Sequence, residues 1–163
     1  MTSLEDRLNR VEAQNQIIAQ LHSYCRQADL LNPPGMLAHF TEECLVSYVV
    51  GGPPMTKAEL KAMLEQYLPN TTSSQHMITN HELVFLSEDE VLLHTYMYSW
   101  QRYKDYPMRS DTHRFGRYEC RVVRRSGKWL FTHMNLISAG ELGESRIAEQ
   151  LGRPWPPVFG AAA

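Results

Sequence analysis

Two periodicities divide this chain. Apolar residues recur mostly at helical spacing up to "KAELKAMLEQYL", and after "PNTTSS" they alternate as in strands. Residues 4–29 carry Leu4, Leu8, Val11, Ile18, Leu21, Cys25 and Ala28 on one face and polar residues on the other, which predicts a long first helix. The following "LNPPG" ends it, because proline cannot continue a helix and disfavours one in the residue before. "GMLAHF" predicts a short second helix, and "CLVSYVV" a strand closed by "GGPP". Thr56 is placed to cap the third helix, with Glu59 near its positive end. Four strands are then expected near 75–86, 90–103, 112–125 and 128–138, joined by "SEDE", "KDYP" and "RSGK". A helix over 141–151 and an extended "GRPWPPVFG" complete the order, and residues 1–163 are expected to form one domain.

Helices first and long antiparallel strands afterwards predict an α+β fold, with a curved sheet wrapped around the helices to leave a conical pocket. Strand parity then sorts the candidates, since alternate residues face opposite sides. His76, Ile78 and Asn80 share one face of their strand; Leu92, His94, Tyr96, Tyr98 and Trp100 share one face of the next. In 112–125 the less charged face is Gly116, Tyr118, Cys120 and Val122. Periodicity alone leaves open which face of the aromatic-rich strand points inward.

Composition narrows the classes. Apolar residues make up 43% and charged residues 21%, as in an ordinary globular chain, and the formal charge of −2 gives no reason to expect nucleic acid or a membrane surface as partner. No apolar run is long enough to span a bilayer, and the charged "MTSLEDRLNRVEAQ" has no secretion-signal core. Cys25, Cys44 and Cys120 are odd in number and in no metal pattern, so reduced thiols and a cytoplasmic setting are expected. His94, His113 and His133 show no metal spacing either.

Several stretches carry a family resemblance. "EDEV" leading into "WQRYKD", the later "GKWLF" and "GELGESRIAEQ" are similar to scytalone dehydratases, while "QHMITN" and "ADLLN" are similar to segments of hexachlorocyclohexane dehydrochlorinase and bile-acid dehydratases. Over roughly residues 4–150 the chain resembles the SnoaL-like, scytalone dehydratase-like branch of the nuclear-transport-factor-like cone folds. The resemblance implies a dyad of Asp29 and His76, with the histidine removing a proton and the aspartate orienting it. It also implies Tyr48 as a group binding the substrate carbonyl and Tyr24 as a second tyrosine of the site. Departures from the pattern fall at Ala28, Trp100, Gly116, Tyr118 and Met134, so the dyad is kept while the polar shell around it differs. Related chemistry on another substrate is the expectation.

A histidine titrates near neutrality, and a carboxylate on its other ring nitrogen raises its proton affinity. A phenol can donate to an oxygen as enolate charge develops. The expected pocket is therefore His76, Asp29, Tyr48 and Tyr24, with Asn80, Tyr96, Tyr98, Trp100, Gly116, Tyr118 and Met134 around a flat or polycyclic ligand, and Trp155 and Phe159 in a closing tail. No cofactor or metal is required. Plain structural readings compete: Asp29 as a polar helix end, His76 as a satisfied strand histidine, the tyrosines and Trp100 as core. Three functions stay open, namely a dehydratase-type lyase or isomerase, a cyclase or hydrolase of the same fold, and a non-catalytic binding module or partner subunit. A homo-oligomer, dimer or trimer, is expected from the charged and aromatic outer sheet face.

Overall fold

The computed structural model describes residues 3–48 and 53–143. Helix α1 runs Leu4–Asp29, α2 Pro33–Leu37 and α3 Lys57–Tyr67; the strands are β1 Phe40–Ser47, β2 Thr71–Phe85, β3 Glu90–Tyr103, β4 Thr112–Arg125 and β5 Lys128–Leu142. They form one curved, open sheet in the order β1-β5-β4-β3-β2, antiparallel throughout except where β1 lies parallel to β5. The helices pack on its concave side, the α+β cone that the order of elements predicts.

Local chemistry sets the boundaries. Ser3 and Thr56 each cap a helix reciprocally with the acid three residues on, Asp6 and Glu59. After Asp29 the chain turns through Leu31 at φ 53°, and Asn32 caps α2 with Pro33 in its first turn. Ser126 and Gly127, both at positive φ, close the β4–β5 hairpin tightly.

The core lies between α1 and the sheet. Ile17, Leu21, Tyr24 and Cys25 meet Val91, Leu93, Cys120, Val122, Phe131 and Met134, all essentially buried. Truncating Ile17 or Leu21 to alanine is expected to cost about 2–5 kcal/mol. The buried stripe of α1 begins only at Ala13; Leu4, Leu8 and Val11, expected on the packed face, are 77%, 55% and 51% exposed. At that end it is the polar side that meets the sheet, with Arg10 over the ring of Phe85.

Three further expectations change. β2 begins at Thr71, pairing its first residues with the end of β3. β5 continues through Leu142, so residues 141–142 are strand where a helix was expected. Gly143 follows at φ 87°, and residues 144–151 of that expected helix, with Trp155 and Phe159, lie outside the described residues, as do residues 49–52. In β3 the inward face is Val91, Leu93, Thr95, Met97 and Ser99, the opposite parity to the aromatic row. Register explains it: Leu93 pairs with Leu83 and Cys120, and Val91 with Phe85 and Val122, so the apolar end of the strand fixes the face for all of it. Among the described residues no helix is long and apolar enough to cross a membrane.

Candidate active site

Between the C-terminal half of α1, helices α2 and α3, and the concave sheet face lies a cavity of about 440 Å³, a size suited to a small organic ligand. Tyr24, Ala28 and Met36 form one wall, Met63 and Leu64 of α3 another, and His76, Met97, Ser99, Tyr118 and Leu136 the sheet side. Tyr48 reaches in from the end of β1. At the end near α3 the lining turns polar, with Gln66, Asn70, Lys104, Asp105 and Arg109.

Asp29 is the last residue of α1. A carboxylate there faces the negative end of the helix dipole, so the position is unfavourable without a partner. The partner is His76. Its backbone N–H donates to Asp29 Oδ2 at 3.1 Å, and Nδ1 lies 2.6 Å from Oδ1. β2 is an edge strand, and an edge carries backbone groups that the sheet leaves unpaired; Asp29 takes up one of them. An ionised carboxylate only accepts, so Nδ1 carries the proton and Nε2 keeps a lone pair. The ring is a wall of the cavity, and its side chain is 10% exposed.

The Tyr24 and Tyr48 hydroxyls are hydrogen-bonded to each other. Burial pushes both phenols, and that of Tyr118, far above the ordinary tyrosine range, so all three remain neutral donors. Burial, with the Asp29 carboxylate adding to it, also lifts the Cys25 thiol to about 12, and Cys44 rises by burial to about 11. Neither thiol is a nucleophile at neutral pH. Among the described residues no three His, Cys, Asp or Glu side chains are grouped to hold a metal ion.

The expected site residues thus divide. His76, Tyr24, Tyr48 and Tyr118 meet at one cavity, with Asp29 directly behind His76. Six others do not line it. Asn80 is exposed, at φ 56°, where a bulge between Thr79 and Glu82 breaks the alternation of β2. Tyr96, Tyr98 and Trp100 occupy the outer face: Tyr96 is 57% exposed, Tyr98 bonds His113 at 2.7 Å, and Trp100 donates to Asp111 at 3.0 Å. Gly116 approaches the neighbouring strand so closely that a Cβ would stand 2.3 Å from the Ile137 carbonyl oxygen. Met134 is fully buried in the core. Conversely Met97, Ser99 and Arg114 line the cavity and were missed. Arg114 was within reach, since it continues the Gly116–Tyr118 face by one step; Ser99 needed the parity of β3.

A family model for the SnoaL-like domain matches residues 9–135, and the chain belongs to that family. Solved structures agree on the fold. The chain is similar to a candidate scytalone dehydratase from Novosphingobium aromaticivorans (TM-score 0.79, 23% identity, 94% of this chain and 97% of that one). It is similar to the hexachlorocyclohexane dehydrochlorinase LinA-type3 from Novosphingobium barchaimii (0.73, 16%, 87% and 97%) and to ActVI-ORFA from Streptomyces coelicolor (0.66, 16%, 78% and 98%). None of the curated proteins matches this chain.

Proposed function

We propose that this protein is a cofactor-independent lyase of the dehydratase type, or an isomerase, acting on a small hydroxy-carbonyl compound. The observation that carries the reading is the 2.6 Å contact between His76 Nδ1 and Asp29 in the wall of an open cavity. Nε2 takes the proton from the carbon next to the carbonyl, and the Asp29 carboxylate stabilises the imidazolium that forms. Tyr48, with Tyr24 bonded behind it, donates to the carbonyl oxygen as it becomes an enolate. Collapse of the enolate expels hydroxide from the neighbouring carbon, and the Nε2 proton converts it to water, so the base is regenerated. Return of that proton to a different carbon gives the isomerase outcome instead.

The open space beside His76 supports catalysis over a purely structural histidine, which a filled core would have favoured. The test is turnover of hydroxy-carbonyl compounds by Asp29→Asn and His76→Ala. Both variants should fold normally and lose activity; near-wild-type turnover in either removes the mechanism. We further infer self-association through the outer sheet face, where Met77, Val84, Tyr96 and Phe115 are 42–57% exposed. Sedimentation showing only an 18.8 kDa monomer at micromolar concentration would count against it.

A further inference from the structure

The proposed reaction leaves several charged side chains of the cavity lining without a role, and Arg114 is the one on the sheet wall that carries His76. Across the strands, His76 of β2 pairs with Ser99 of β3, and Ser99 pairs with Arg114 of β4. Directly opposed residues project from the same face, so these three side chains form one row along the cavity wall, and all three line it. Two strand spacings separate the Cα atoms of His76 and Arg114, roughly 10 Å. Arg114 and His76 thus reach the same cavity from strands that are two apart in the sheet.

Arg114 belongs to the interior, with its side chain only 11% exposed, and its Nε donates to Glu141 at 2.5 Å. That bond sets the plane of the guanidinium fork. Burial raises the Tyr118 phenol, and Arg114 is the group that pulls it back, which sets the positive charge beside the cavity floor. Arg109, buried with its Cζ 3.3 Å from the centre of the Tyr103 ring, adds a second guanidinium to the same lining. Between these poles Met36, Met63, Met97 and Leu136 offer an apolar bed.

We propose that Arg114, standing in the row of His76 and Ser99, receives an acidic group of the substrate, so that the site takes a hydroxy-carbonyl compound bearing a carboxylate. This rests on the dehydratase or isomerase reading for the hydroxy-carbonyl part only. A planar guanidinium matches a carboxylate through paired N–H donors, and such charge-assisted bonds discriminate against a neutral analogue. The apolar bed takes the carbon frame, and the row holds its reacting carbon toward Nε2.

The test is calorimetric titration of 2-naphthoate and of its neutral amide, 2-naphthamide, into the full chain at neutral pH. The wild type should bind the acid at least about tenfold more tightly than the amide, and Arg114→Gln should weaken the acid by about ten- to a hundredfold while leaving the amide unchanged. Glu141→Gln, which removes a competing carboxylate, should bind the acid at least as well as wild type. If Arg114 served only its pair with Glu141, both variants would weaken both probes alike, and the proposal falls. Equal wild-type affinities, or no binding of either probe at millimolar concentration, also overturn it. Should Arg114→Gln not fold, Arg114→Lys, which keeps the charge without the fork, must lie between the wild type's affinities for acid and amide; wild-type preference in it would remove the role of the fork. The catalytic reading is judged separately. His76→Asn should keep the acid preference, so loss of preference through Arg114 and loss of turnover through His76 succeed or fail independently.

Discussion

His76 and His113 stand on opposite faces of one sheet, and each engages its Nδ1. His76 bonds the Asp29 carboxylate at 2.6 Å, and His113 bonds the Tyr98 hydroxyl at 2.7 Å. The distances are nearly equal, but the chemistry differs. A carboxylate carries a charge and accepts only, so it fixes the tautomer. A phenol can donate or accept and offers no countercharge. His113 also lies against the ring of Tyr98, which packs at a tilt on Phe115, on the side away from the cavity. Reactivity in a strand histidine is decided by the partner and the space beyond the ring.

The largest effect that can break this contrast is a double-mutant cycle. Asp29→Asn and His76→Ala should each lower turnover by about 10³-fold, within the range for general-base catalysis. The pair acts as a unit, so the double variant should be no worse than either single one. His113→Ala on the other face should leave turnover within about twofold. Multiplying losses in the double variant, or a comparable loss from His113, would dissolve the distinction. Next in size is Tyr48→Phe, which removes one donor to the developing oxyanion and should lower kcat by about 10²-fold with little change in KM. A loss seen only in KM would mean that Tyr48 binds substrate without acting in the transition state.

The same contrast shows what the sequence makes legible. The order of elements, the Ser126–Gly127 turn and the placement of Asp29 at a helix end are local, and propensity and capping chemistry reveal them. The contact that matters joins residues 47 apart in sequence, and only the resemblance to known dehydratases pointed to that pairing. The parity of β3 was hidden for a physical reason. Its inward residues near the cavity are Thr95, Met97 and Ser99, while its large aromatics face outward and find partners in His113, Asp111 and Arg102. The aromatic row therefore points the wrong way, because the polar atoms of Tyr98 and Trp100 find their partners on the outer face. The bulge at Asn80 is likewise set by pairing across strands, which alternation along one strand does not reveal.

Adjacent residues of β3 turn that point into a smaller test. Ser99→Leu places a branched side chain in the His76 row and should raise KM about tenfold. Tyr98→Leu, one position away on the outer face, should change KM by less than about twofold, although it gives up the hydrogen bond to His113 and is expected to lower stability by about 1 kcal/mol. Equal effects on KM would contradict the assignment of the two faces.

The smallest expected effect concerns a third histidine that uses Nδ1. His81 bonds Thr95 Oγ1 at 2.9 Å, beside the bulge, with His22 of α1 at 5.4 Å between ring centres. Burial lowers its pKa, and the neighbouring His22 adds to the shift. The folded state therefore prefers the neutral ring, and the unfolded chain binds the proton at higher pH. Stability from this source is complete above the ordinary imidazole value of about 6.5 and is lost as pH falls through it toward the lower folded value. His39 and His133, lowered first of all by burial, slope the same way. His81→Gln removes one of these contributions, so its Tm should fall by less than that of the wild type between neutral pH and about pH 5. The carboxylate partner of His76 has no counterpart here: Thr95 holds the ring without offering charge to a proton. An unchanged or steeper Tm profile in His81→Gln would show that His81 is protonated as readily in the fold as in the open chain, and the difference between a hydroxyl partner and a carboxylate partner would then have to be sought elsewhere.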